Sequence, residues 1–138
     1  MPEQQAYLQI IRTANVLGQS LSQLLAEHGL SGKQYNALRA IRRAGTQGAT
    51  PSEIAAQLTD PRADVTRLAD RLVREGYVHR APDKEDRRVV RLTLTDDGAT
   101  RLGALDEPLL ELHRAQLSHM SAGELATLSK LLKKARRE

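Results

Sequence analysis

Apolar positions in the first thirty residues recur every three or four places. Leu8, Ile11, Ala14, Leu17, Leu21, Leu24 and Leu25 draw one stripe, the period of an amphipathic helix. Gly29 stands where such a helix ends. Three further helix starts follow, each a Ser or Thr with Glu or Gln three residues on: Ser31-Gly-Lys-Gln34, Thr50-Pro-Ser-Glu53 and Ser121-Ala-Gly-Glu124. This is the capping-box spacing, in which two orphan amide donors are satisfied reciprocally. Pro51 occupies the first helical position, where proline is favoured. Each start precedes apolar periodicity: Tyr35/Leu38/Ile41, Ile54/Ala55/Leu58, and Leu125/Leu128/Leu131/Leu132.

Asp60-Pro61 reads as a fourth start, of a helix with Val65, Leu68, Ala69 and Leu72 on one side that ends before Gly76. The period then changes to two. Tyr77–Arg80 and Val89–Leu94 read as strands joined by the charged loop Ala81–Arg88. Thr95-Asp-Asp-Gly caps a long helix carrying Leu102, Leu105, Leu109, Leu112 and Leu117, which Pro108 is expected to kink or interrupt near Leu105. The order predicts a mainly α fold with a small β-hairpin wing: a winged helix-turn-helix flanked by terminal helices. Residues 1–29 form an N-terminal dimerisation helix. Residues 30–95 form the winged unit, with its reading helix at about 61–75 and its wing at about 77–94. Residues 96–138 supply C-terminal dimerisation helices.

The second helix of such a motif turns one face to the core and the other to a major groove. With Val65, Leu68 and Leu72 inward, Ala63, Arg67, Asp70 and Arg74 fall opposite, flanked by Thr66 and Arg71. Arg67 can meet a guanine edge, Thr66 a thymine methyl or a phosphate, and Ala63 leaves room for close approach. Arg71 and Arg74 suit phosphates. The plain alternative is a solvated Arg/Asp face. In the wing, Arg87 and Arg88 end the loop, with Arg80 and Arg91 on the strands. An arginine at a hairpin tip can enter a narrow minor groove, and Asp86 is placed to orient Arg88. A merely solubilising loop is the alternative here.

Composition narrows the field. The chain has 138 residues and no Cys, which excludes disulfides, thiolate metal sites and cysteine nucleophiles. Trp and Phe are absent and Tyr7, Tyr35 and Tyr77 are the only aromatics, too few for a base-stacking RNA platform. No run approaches the roughly 20 apolar residues of a membrane span, and the Met-Pro-Glu start lacks a signal-peptide pattern. A cytoplasmic protein is expected. Net charge is +4, but residues 60–91 hold nine basic against seven acidic side chains. Placement therefore matters more than bulk charge.

The run from Val65 to Val78 (VTRLADRLVREGYV), then Arg80, Asp83-Lys-Glu-Asp-Arg-Arg and Leu92-Thr-Leu-Thr-Asp-Asp-Gly98, is similar to the signature of MarR-type transcriptional regulators. Leu30–Leu38 resembles their second helix. The resemblance implies a homodimer that binds pseudo-palindromic double-stranded DNA, usually as a repressor released by a small aromatic or anionic effector. It places Thr66 and Arg67 at base-reading positions and Arg88 at the minor-groove arginine of an Asp-x-Arg wing. Ser52, Arg62 and Arg71 fall at phosphate positions. Asp64 departs from the pattern: either Arg67 neutralises it or it accepts from a cytosine amine.

Leucine stripes on the first helix and the last two exceed what a winged unit covers, so Leu8, Ile11, Leu109, Leu112, Leu117, Leu125, Leu128 and Leu132 are expected at an isologous interface. Intramolecular packing alone is the other possibility. For an effector, Tyr35 is the candidate aromatic wall, with Arg12 or His28 offering charge. No cofactor is expected. His28, His79, His113 and His119 lack metal-ligand spacing, and Lys130, Lys133, Lys134, Arg136 and Arg137 complement the last helix dipole. The chain lacks a phosphate-cradling glycine loop and a nucleophile elbow, so an enzyme is not expected. The remaining rivals are a winged-helix protein-interaction module and a nonspecific DNA-binding protein without effector response.

Overall fold

Local capping chemistry fixes where the chain turns helical. A computed structural model describes residues 1–58 and 64–138. In it α1 (Pro2–Glu27) ends at His28, and α2 (Gly32–Ala44) opens on Ser31. A single 3-10 turn (Gly45–Gln47) leads to α3 (Pro51–Gln57), which opens on Thr50; α4 follows (Val65–Arg74). The antiparallel strands β1 (Val78–Pro82) and β2 (Val90–Leu94) precede α5 (Asp96–Leu117) and α6 (Ala122–Ala135). All three capping boxes form, each with the hydroxyl accepting from the amide three residues on and the Glu or Gln accepting from the cap amide.

The hairpin register runs from Val78 opposite Leu94 to Pro82 opposite Val90. Ala49 adds a bridge on the outer side of β2, exchanging both backbone hydrogen bonds with Leu92 at 2.9 Å. Gly48 lets the chain arrive there: its φ is +76°, and a Cβ would lie 2.7 Å from the Leu92 carbonyl oxygen. Leu92 is buried, and so are Leu38, Ile41, Ile54 and Leu72, so β2 sits on a core supplied by α2, α3 and α4. Leu25, Leu102 and Leu105 extend the same core to α1 and α5.

Several expectations meet the structure here. Helix α4 has Asp64 as its N-cap, with Oδ1 accepting from Arg67 N at 3.1 Å; the Asp60-Pro61 start expected for it lies outside the described residues. Helix α5 runs through Pro108 without interruption. Proline removes one backbone donor, while Leu102 and Leu105 before it and Leu109 after it are all buried and hold both turns on the core. Leu109 is only 5% exposed and belongs to its own chain's core, which corrects its assignment to an interface. Ala55 is exposed, so Ile54 is the buried apolar residue of α3, with Pro51 and the C-cap Leu58 half-buried.

Among the described residues, no helix is long and apolar enough to cross a membrane.

Candidate nucleic-acid interface

The side chains of α4 divide as its period requires. Ala69 and Leu72 are buried, Val65 and Leu68 half-buried, and Thr66, Arg67, Arg71 and Arg74 exposed. The Arg67 side chain is 89% exposed and lies 3.7 Å from the Asp64 carboxylate. Asp64 thus serves two partners, the first-turn amide and the Arg67 guanidinium. Asp70 is taken by neither Arg67 nor Arg71. It accepts from Arg80 of β1, an ion pair that ties the reading helix to the wing. Arg71 donates its Nε to Glu75 at 3.0 Å.

The wing loop is organised by two aspartates. Asp83 Oδ2 accepts from the amides of Glu85 and Asp86 at 3.1 and 3.0 Å, and its Oδ1 accepts from Arg91 Nε at 2.5 Å. Asp86 Oδ1 accepts from both the amide and the Nε of Arg88 at 3.1 Å, and its Oδ2 from Arg88 Nη2 at 3.2 Å. The Arg88 side chain is held in a fork while remaining 91% exposed. The Arg91 hydrogen bond, aided by the Asp86 amide, holds the Asp83 carboxyl below its ordinary value; the Arg88 side chain does the same for Asp86. Arg91 also reaches the Gly48 carbonyl at 3.4 Å.

The Thr-Asp-Asp-Gly corner locks this unit to α5. Thr95 donates its hydroxyl to the Gly76 carbonyl at 2.6 Å and caps Gly98 N. A Cβ at Gly98 would lie 2.1 Å from the Tyr77 carbonyl oxygen, so only glycine allows this approach.

Of the residues expected at DNA, Thr66, Arg67, Arg71, Arg87 and Arg88 are exposed on α4 or the wing, Asp86 is half-buried beneath Arg88, and Ser52 is exposed in the first turn of α3. Arg62 and Ala63 lie outside the described residues. The three effector candidates occupy separate settings. Tyr35 is half-buried with the Arg39 guanidinium 5.5 Å from its ring, and His28 Nδ1 lies 3.0 Å from the Leu24 carbonyl. Arg12 is exposed on α1.

Leu8, Ile11 and Leu128 are exposed, and Leu112, Leu117, Leu125 and Leu132 are half-buried. Sequence reasoning missed several large apolar residues beside them: Tyr7, Ile10 and Val16 on α1, Leu110 on α5 and Leu131 on α6 as an exposed residue. Stripe-picking on a single face passes over such neighbours. It also missed Glu75, and it read Gln34 only as a capping residue, since composition and period give no signal for its burial or its contact with Glu75.

A family model described as the MarR family matches residues 28–89. The multiple antibiotic resistance protein MarR of Salmonella typhimurium (strain LT2) is 35% identical over 115 residues, covering 83% of this chain and 78% of that one. The protein of the same name from Escherichia coli K12 is 33% identical over 128 residues, 89% and 88% of the two chains. Among solved structures, a mutant E. coli MarR complexed with operator DNA superposes with a TM-score of 0.77 at 31% identity, covering 94% of this chain and 95% of that one.

Proposed function

Since the chain belongs to the MarR family of DNA-binding transcriptional regulators, we propose that it acts in the cytoplasm as a homodimeric repressor of a pseudo-palindromic operator. In this reading residues 30–95 contact DNA, while residues 1–29 and 96–138 pair two copies. Thr66 and Arg67 read base edges in a major groove. Arg88, steadied by Asp86, enters the adjoining minor groove, where negative potential is strongest. Ser52, Arg62, Arg71 and Arg87 serve phosphates, and Ala63 allows close approach. The observation that carries the reading is the Arg80–Asp70 pair, which sets the exposed arginines of α4 and the wing in one frame.

Pairing is supported by the apolar surface left on α1, α5 and α6, since Tyr7, Ile10, Ile11 and Val16 are unlike an ordinary solvated helix face. An isologous contact would cover both copies at once. Release by a small aromatic or anionic effector rests on the likeness to the family.

In vitro selection from a random duplex library tests the proposal. The expected product is an inverted repeat, bound by two copies and released on titration with aromatic carboxylates or phenols. Equal binding to every duplex overturns sequence-specific regulation and favours a nonspecific DNA-binding protein. Absence of any DNA binding favours a protein-interaction module.

A further inference from the structure

Gln34 is the one buried polar residue among the described residues, at 3% exposure, and its amide is used at both ends. Oε1 accepts from Ser31 N at 2.9 Å, and Nε2 donates to Glu75 Oε2 at 2.8 Å, 41 residues along the chain. The other carboxylate oxygen of Glu75 accepts from Arg71 Nε. A chain of hydrogen bonds therefore runs from the first turn of α2 to an arginine on the exposed side of α4. Arg71 keeps Nη1 and Nη2, neither of which has a partner among the described residues.

Two features lack a purely local explanation. The other capping boxes carry Glu at the third position, Glu53 and Glu124, whereas this one carries Gln. A glutamate at 34 would cap Ser31 equally well but would set a carboxylate against Glu75. Only an amide both accepts from Ser31 and donates onward. Glu75 is itself the C-cap residue of α4, where the helix dipole disfavours a negative charge.

We infer that Gln34 and Glu75 are positioning residues for Arg71, holding its guanidinium by Nε so that its two terminal nitrogens are presented together to a phosphate. Ordering a long side chain before binding removes an entropy cost otherwise met on association. The inference rests on the reading of Arg71 as a phosphate contact.

The experiment is a double-mutant cycle on the full chain, using the selected duplex and fluorescence anisotropy, with circular dichroism confirming the fold of each variant. Arg71→Ala is expected to weaken binding and to lower the salt slope by about 0.9. Glu75→Ala is expected to weaken binding about two- to tenfold when Arg71 is present. In the Arg71→Ala background the same change leaves affinity unchanged or raises it, because only the loss of a negative charge remains. Gln34→Glu, which keeps the capping box, should reproduce the weakening. If Arg71→Ala binds like the wild type, the phosphate reading fails and takes the inference with it. If Arg71→Ala weakens binding but Glu75→Ala acts in the same direction in both backgrounds, the positioning role alone is overturned.

Discussion

Arg91 and Asp83 face each other across the base of the wing, Nε to Oδ1 at 2.5 Å, and that contact organises the loop above it. The same carboxylate collects the Glu85 and Asp86 amides, so Asp86 is in turn placed to hold Arg88. The exposed arginine at the tip owes its direction to a pair two steps back from it.

The wing is predicted to be acid-sensitive only at low pH. Asp83 and Asp86 are both held below the ordinary aspartate value, Asp83 chiefly by the Arg91 side chain and Asp86 by that of Arg88. A carboxylate depressed in the folded state adds stability that is complete above its unfolded value and lost as pH falls through the folded one. NMR shifts of the Glu85, Asp86 and Arg88 amides should therefore stay native down to the ordinary aspartate range, about 3.9, and change below it. A transition well above that range contradicts the network.

Two glycines of α5 should respond to alanine with opposite signs. Gly103→Ala meets nothing within 4 Å and should gain about 0.5–1 kcal/mol from helix propensity. Gly98→Ala, in the capped first turn, has at most that propensity benefit, and its methyl would lie 2.1 Å from the Tyr77 carbonyl oxygen. Overpacking of about 1–3 kcal/mol outweighs that benefit. Denaturant melts of the two variants check the ordering.

At the DNA, the two arginines should fail differently. Arg67→Ala is expected to lose about 1–3 kcal/mol of base discrimination and to bind mismatched duplexes more nearly like the selected one. Arg88→Ala should weaken all duplexes, with the largest effect on narrow A·T-rich flanks. Asp86→Ala should lie between wild type and Arg88→Ala, since the guanidinium persists without its fork. Competition binding with single-base variants separates these patterns, and a uniform loss in all three variants would remove the groove assignments.

Pairing through the terminal helices predicts a dimeric mass by light scattering at micromolar concentration. Ile11→Asp and Leu128→Asp, both at exposed positions, should yield folded monomers with much weaker operator binding. A dimer that survives both changes places the interface elsewhere.

Much of this architecture is legible from short-range chemistry. Ser31/Gln34, Thr50/Glu53 and Ser121/Glu124 announce their helices because a capping box involves only four consecutive residues. The Asp86–Arg88 fork is readable for the same reason. Competing local signals obscure the start of α4, where Asp60 and Asp64 are both suitable caps. Long-range packing hides the rest. Leu109 has the spacing of an interface leucine but is consumed by its own core, and Pro108 is tolerated because buried leucines lie on either side of it. The Gln34–Glu75 contact joins two polar residues that no periodicity connects.

The Ala49–Leu92 bridge has a mechanical consequence. It makes the segment leading into α3 an edge of the wing's sheet, while Arg80 and Asp70 fasten the opposite edge to α4. On the proposed reading, the two parts that would meet the grooves are thereby linked through one sheet, like the jaws of a caliper. A duplex of mismatched groove spacing would have to adapt by bending or twisting, at an elastic cost that depends on its sequence. Such a linkage would act as a sieve on base pairs the protein never touches.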